Sequence, residues 1–200
     1  MKLYYMVGAC SLASLIALKE SGVEFETAAL DRNTRRTSDG LDFRQQVNSK
    51  GYVPALRLDD GQVLTENVAV LLYIADLNPA ARLAPAAGTL ERYRLIEWLA
   101  FINSEIHKNY SPLFSPAASQ ETKSFVHANL ARRLDWLNDK LGSTLLTGDT
   151  FTVADAYLFT ILGWSGRVAV DLEKWPNLKR FHAELATRPS VLAALKAEGL

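Results

Sequence analysis

The sequence predicts an α/β half followed by an all-helical half. Two observations divide it. In the first half, an Asp60-Gly61 turn signal separates two short runs that suit strands, residues 55–58 and 62–64. From Thr89 onward the pattern is helical throughout and carries no strand signal.

Each element has its own warrant. Residues 2–6 read as a buried strand, rich in tyrosine and leucine, which Gly8 breaks. A helix over 11–21 follows, with Leu12, Leu15, Ile16 and Leu18 inward and Gly22 as its stop. Residues 24–30 form a second strand, so the three elements make a right-handed parallel crossover. The segment 31–42 is polar and is expected to be the least ordered part of this half, with Arg32, Arg35, Arg36 and Lys50 nearby on either side of a weak helix. Pro54 opens the third strand, where a missing N–H is tolerated. If the Val53–Pro54 bond is cis, the Val53 carbonyl and N–H turn outward from the sheet. Thr65 is the expected cap of a helix that begins at Glu66 and Asn67 and runs apolar through Ile74. The order βαβαββα is a thioredoxin-like layout with a mixed four-stranded sheet.

Asn78-Pro79 ends that helix, and 80–88 is an alanine- and proline-rich stretch without periodicity. The expected division is therefore 1–79, a linker 80–88, and an all-α helical bundle over 89–200. Leu95, Leu99, Ile102 and Ile106 mark one core stripe; Val126, Leu130, Leu134, Leu137 and Leu141 mark the next. Residues 153–164 are apolar nearly all round, as in a helix central to a bundle. Pro176 and Pro189 each suit a first helical turn.

Composition narrows the function. Two hundred residues at 48% hydrophobic can fill a core, and 22 basic against 22 acidic side chains give no drive toward nucleic acid or anionic membrane. No apolar run is long enough to span a bilayer. The apolar run before Cys10 is too short for a secretory leader. One cysteine forms no internal disulfide, so a reducing cytoplasm is expected.

Cys10 lies between a strand end and a helix start, where N–H groups and the helix dipole favour a thiolate. Ser11 adjoins it and suits either a bond to sulfur or a helix cap. The lack of a second cysteine argues against a dithiol cycle. Glu66 and Asn67 at a helix N-terminus suit a small zwitterion, although the dipole alone explains the glutamate. On regular α spacing His107 falls in a row with Ala100, Asn103 and Tyr110, beside the core stripe. With three histidines and one cysteine, no metal site is expected. Thr152-x-x-Asp155 has capping-box spacing.

Four segments together resemble the glutathione S-transferases, and the bacterial beta class in particular. They are Val-Pro-Ala-Leu with Leu-Thr-Glu-Asn, the opening Lys2 to Leu15 stretch, Glu-Trp-Leu with Ile-His-Lys-Asn-Tyr-Ser-Pro-Leu, and Phe-Thr-Val-Ala-Asp-Ala-Tyr-Leu-Phe. The resemblance covers essentially the whole chain. It implies an enzyme that conjugates the glutathione thiol to small hydrophobic electrophiles, with no cofactor beyond glutathione as co-substrate. Cys10, Ser11 and His107 are then the catalytic group. Arg36, Val53, Pro54, Glu66, Asn67, Asn103 and Lys108 would hold glutathione. Tyr5, Tyr110 and Trp164 would wall the second pocket, supplied by the helical half. A homodimer is expected, using Glu91, Arg92 and Arg94 and the turn near Val63. Two alternatives remain: a glutathione-dependent disulfide reductase working through a Cys10 mixed disulfide, and a non-catalytic binding or regulatory protein. Val7 and Ser49 stand where the class often has proline, and Ala100 where some members have asparagine.

Overall fold

The computed structural model describes residues 1–141 and 145–200. The chain forms two compact units, Met1–Ala84 with Arg188–Leu200, and Pro85–Thr187.

The first unit is built on four strands, β1 (Lys2–Tyr5), β2 (Glu26–Ala29), β3 (Ala55–Arg57) and β4 (Val63–Thr65). Their order is β2-β1-β3-β4, with β1 parallel to β2 and both other pairs antiparallel. The helices are α1 (Ser11–Ser21), α2 (Phe43–Gln46) and α3 (Asn67–Leu77). The expected mixed sheet is present. The weak helix falls between Arg36 and Lys50, as expected, at α2, where Asp42 accepts from the N–H groups of Arg44 and Gln45 at 3.1 Å each. One local expectation is corrected. Thr65 is not the cap of α3: it pairs with Ala55 as the end of β4, and Glu66 takes the cap position.

The second unit is helical. It contains α4 (Leu90–Phe101), a π-helical turn at Ile102–His107, α5 (Lys108–Tyr110), α6 (Gln120–Leu141), α7 (Val153–Leu162) and α8 (Pro176–Ala186). Every residue of α7 is buried, as its all-round apolar pattern requires.

The last helix, α9 (Pro189–Glu198), departs from the expected division at residue 89. It belongs to the first unit, packed along α1. The reason lies in α1, which is buried on all sides from Ser11 to Leu18 and needs a cover on the face that α3 leaves open. Arg188 locks the arrangement through a fork to the Glu20 carboxylate, Nε donating at 2.9 Å.

Candidate functional site

The candidate residues of the first unit gather around the loop from β1 to α1. Cys10 caps α1, and its Sγ donates to the Val53 carbonyl at 3.2 Å. The Val53–Pro54 bond is cis. Ser11 has a different role from the expected one. It is fully buried, its Oγ accepts from the Met6 N–H at 3.2 Å, and its hydroxyl donates to the Met6 carbonyl at 3.4 Å. Both bonds close the loop around residues 6–11, so the hydroxyl is turned to backbone rather than to sulfur.

Asn67 is likewise turned inward. Its side chain accepts from Ser14 at 2.8 Å and donates to the Cys10 carbonyl at 3.3 Å, and the residue is 6% exposed. The amide expected to hold a ligand carboxylate instead joins the start of α3 to the first turn of α1. What remains at that helix start is the backbone N–H field and Glu66. The Glu66 backbone has φ 70°, a conformation that costs a non-glycine residue of order 1–3 kcal/mol. Its carboxylate is exposed and paired with Lys50, whose ammonium also donates to Thr65 Oγ1 at 3.1 Å.

Of the arginines, Arg36 bonds to the Gly40 carbonyl at 2.8 Å and lies 3.6 Å from Asp42, within its own segment. Arg32 and Arg35 are the ones that reach the Cys10 loop. Arg32 donates to the Val7 carbonyl at 3.0 Å, and Arg35 Nη1 lies 3.0 Å from the Met6 sulfur. Charge alone did not distinguish the three; the positive φ of Arg35 (57°), which aims its side chain, leaves no sequence trace. The loop has one more tie. Glu198, at the end of α9, accepts from the Gly8 N–H at 2.7 Å.

In the second unit the candidates gather on the π turn. The regular α row of Ala100, Asn103, His107 and Tyr110 is altered by its wider winding. Asn103 and His107 converge on one phenol: His107 Nδ1 is 2.7 Å from Tyr157 Oη, and Tyr157 donates to Asn103 Oδ1 at 3.0 Å. Trp164 stands edge-on to the His107 ring with centroids 5.0 Å apart. Burial, reinforced by the neighbouring Lys108 charge, pushes the His107 pKa down to about 4, so the ring is neutral at pH 7. Lys108 itself is exposed.

The three expected pocket walls differ in their surroundings. Tyr110 is fully buried and bonded to Ser165 Oγ at 2.7 Å, which makes it core. Tyr5 belongs to the first unit and is buried near Glu198. Trp164 keeps aromatic neighbours, and one of them is the partly exposed Phe114 at 5.6 Å, which the sequence reading missed. Tyr157 was also missed. The one available signal was a phenol in an otherwise apolar buried helix, which needs a partner.

Two family descriptions match the chain: "Glutathione S-transferase, N-terminal domain" over residues 1–76, and "Glutathione S-transferase, C-terminal domain" over 101–189. The chain is 45% identical, over the full length of both proteins, to glutathione S-transferase GstA of Escherichia coli O157:H7. It is similar to a sphingomonad glutathione S-transferase solved in complex with glutathione, at 50% identity, TM-score 0.96 and full coverage of both chains. A bacterial beta class glutathione S-transferase of Sphingomonas chungbukensis gives 50% identity and TM-score 0.95, again over both chains entirely.

Proposed function

The chain belongs to the glutathione S-transferase family, and we infer from that membership and from its own residues that it conjugates the glutathione thiol to small hydrophobic electrophiles. The observation that carries the assignment to this site is the Cys10 thiol at the start of α1, 3.2 Å from the Val53 carbonyl. Around it the first unit offers what a γ-glutamyl tripeptide needs. The α3 N-terminus favours a carboxylate, the Glu66 carboxylate suits an ammonium, and Val53 offers backbone polar groups just before β3. Arg35, half-buried with the Met6 thioether as its side-chain partner, suits a second carboxylate better than Arg36 does.

In the second unit His107 offers a neutral imidazole suited to acid–base chemistry, and Lys108 an exposed cation. Trp164 and Phe114 supply apolar surface for the electrophile. Binding contributes proximity, and hydrogen bonding to sulfur favours the nucleophile. No cofactor beyond glutathione is invoked. A detoxifying role in a reducing cytoplasm fits the lone thiol. Among the described residues no helix is long and apolar enough to cross a membrane.

A second reading rests on the same thiol. A half-buried cysteine without a second thiol suits a mixed disulfide with glutathione, and hence disulfide reduction. Cys10→Ala separates the two. Conjugation of an aryl halide should fall modestly, since the attacking sulfur belongs to glutathione, while reduction of a glutathione mixed disulfide should vanish. Loss of both in a folded variant that still binds glutathione overturns the accessory role of Cys10. Intact mass with and without reductant, after incubation with glutathione, checks for the covalent adduct directly.

The homodimer is supported by different residues from those expected. Arg92 is buried and donates to the Pro85 carbonyl at 3.3 Å, Arg94 pairs with Glu97, and Val63 packs partly against the core. Leu90, Tyr93, Phe125 and Trp136 are instead exposed on α4 and α6, a set of large apolar side chains suited to a second copy. A monomer in sedimentation at micromolar concentration removes this part of the reading.

A further inference from the structure

We propose that Tyr157 and Asn103 are positioning residues that fix His107 in its Nδ1–H form, leaving Nε2 as the ring's hydrogen-bond acceptor. A count of protons carries the first half of this. A phenol has one proton, and the Tyr157 proton is given to Asn103 Oδ1 at 3.0 Å. At 2.7 Å from His107 Nδ1, the phenol oxygen must then accept, so the proton of the neutral ring sits on Nδ1. The lone pair is left on Nε2. Without such a chain a neutral imidazole side chain favours the opposite form, with the proton on Nε2.

The surroundings hold this arrangement. Tyr157 is fully buried in α7, and the two rings meet edge to face at 5.8 Å and 85°. Trp164 closes another side of the imidazole. Asn103 and His107 reach the same hydroxyl because both lie on the π turn, a feature that recurs at functional sites. The ring is neutral at assay pH, so the tautomer, rather than the charge, determines what Nε2 offers.

The part this acceptor plays in conjugation rests on the proposed glutathione chemistry; the tautomer does not. The test keeps them apart. Protein labelled with 15N-histidine is examined by two-bond proton–nitrogen correlation spectra without glutathione, and the His107 signals are assigned with His107→Asn. Wild type should show the proton on Nδ1. Asn103→Leu removes the acceptor, so the Tyr157 proton should turn to Nδ1 and the ring should switch to the Nε2–H form. Tyr157→Phe should leave the ring unfixed, with the Nε2–H form dominant. Both variants are checked for folding by thermal unfolding, and either one suffices. Steady-state conjugation by Asn103→Leu should lose about tenfold in kcat, with the glutathione KM little changed. A wild-type proton on Nε2, or an unchanged tautomer in Asn103→Leu, overturns the proposal. Switched tautomers with unchanged kcat overturn the acceptor role of Nε2. A wild type that shows the Nδ1–H form yet binds no glutathione removes the glutathione reading and leaves the tautomer standing.

Discussion

Among the described residues each unit buries one carboxyl side chain, Asp155 in the second and Glu198 in the first, and the two are treated very differently. Asp155, at the start of α7, is fully buried but accepts three bonds: from Leu146 N–H at 2.9 Å, and from the Thr152 N–H and hydroxyl at 2.8 Å each. Glu198, at the end of α9, is 5% exposed and accepts one bond, from Gly8; its other oxygen is buried with no partner. Burial raises both pKa values, Asp155 to about 6 and Glu198 to about 7. The contrast teaches that donors, not depth, decide what a buried acid does. Asp155 organises its surroundings, whereas Glu198 stays close to the point of taking up a proton, at the C-terminal end of a helix where the dipole further disfavours an anion.

The largest effect should come from Asp155→Ala. It strips the acceptor from three buried donors, and removing such bonds costs about 1–3 kcal/mol each. A loss of about 3 kcal/mol or more is expected, which lowers Tm by roughly 6–12 °C in a chain of this size. The helix cap alone accounts for about 1 kcal/mol of it. A drop of only a degree or two in calorimetry would mean that the Leu146 bond contributes nothing.

Glu198→Gln should sharpen the other side of the comparison. A native pKa of about 7 against an unfolded value of 4.5 means that the folded state holds the extra proton between those limits. Stability from this group is therefore present at low pH and lost as pH rises from about 4.5 through 7, by roughly 3 kcal/mol in total. Histidine 107 has the opposite sign: with its pKa lowered to about 4, its contribution is present above about 6.5 and lost as pH falls. The difference between wild type and Glu198→Gln isolates the glutamate. Urea midpoints from pH 4.5 to 8 should fall relative to the variant in wild type only. Parallel curves would show that the carboxylate finds a partner.

These two acids also mark where sequence reasoning stopped. The capping box was legible, because Thr152 and Asp155 sit three apart before an apolar run. Glu198 was not: periodicity gives α9 an apolar face but does not say that α1, buried all round, is what it must cover. The strands, the β1–α1–β2 crossover and the central place of α7 followed from period and turn chemistry. At the site, residue type identified Cys10 and His107, but the direction of the polar side chains was invisible. Ser11 and Asn67 had plausible ligand roles, yet backbone and hydroxyl groups within 3.4 Å claim their hydrogen bonds. The π turn leaves no mark either, since Ile102 and Ile106 keep a spacing that an ordinary α-helix also shows.

The smallest effect concerns a third acid, Glu66, which tests whether exposure completes the rule. Its side chain is 67% exposed and already paired with Lys50, whose own exposure is 45%. Surface ion pairs of this kind contribute about 0–1 kcal/mol, so Glu66→Gln should leave stability nearly unchanged. Ligand binding is where it should register. A charge-assisted bond to the ammonium of glutathione is worth roughly 1.5–3 kcal/mol when undivided. Here Lys50 competes for the same carboxylate, which places the loss at the lower end, about tenfold in glutathione Kd, with kcat barely moved. Lys50→Met provides the internal control. It frees the carboxylate and should tighten glutathione binding in wild type, but not in the Glu66→Gln background. Calorimetric titration of the four proteins completes the cycle. If Lys50→Met weakens binding equally in both backgrounds, the lysine itself holds the ligand, and Glu66 serves only to position it.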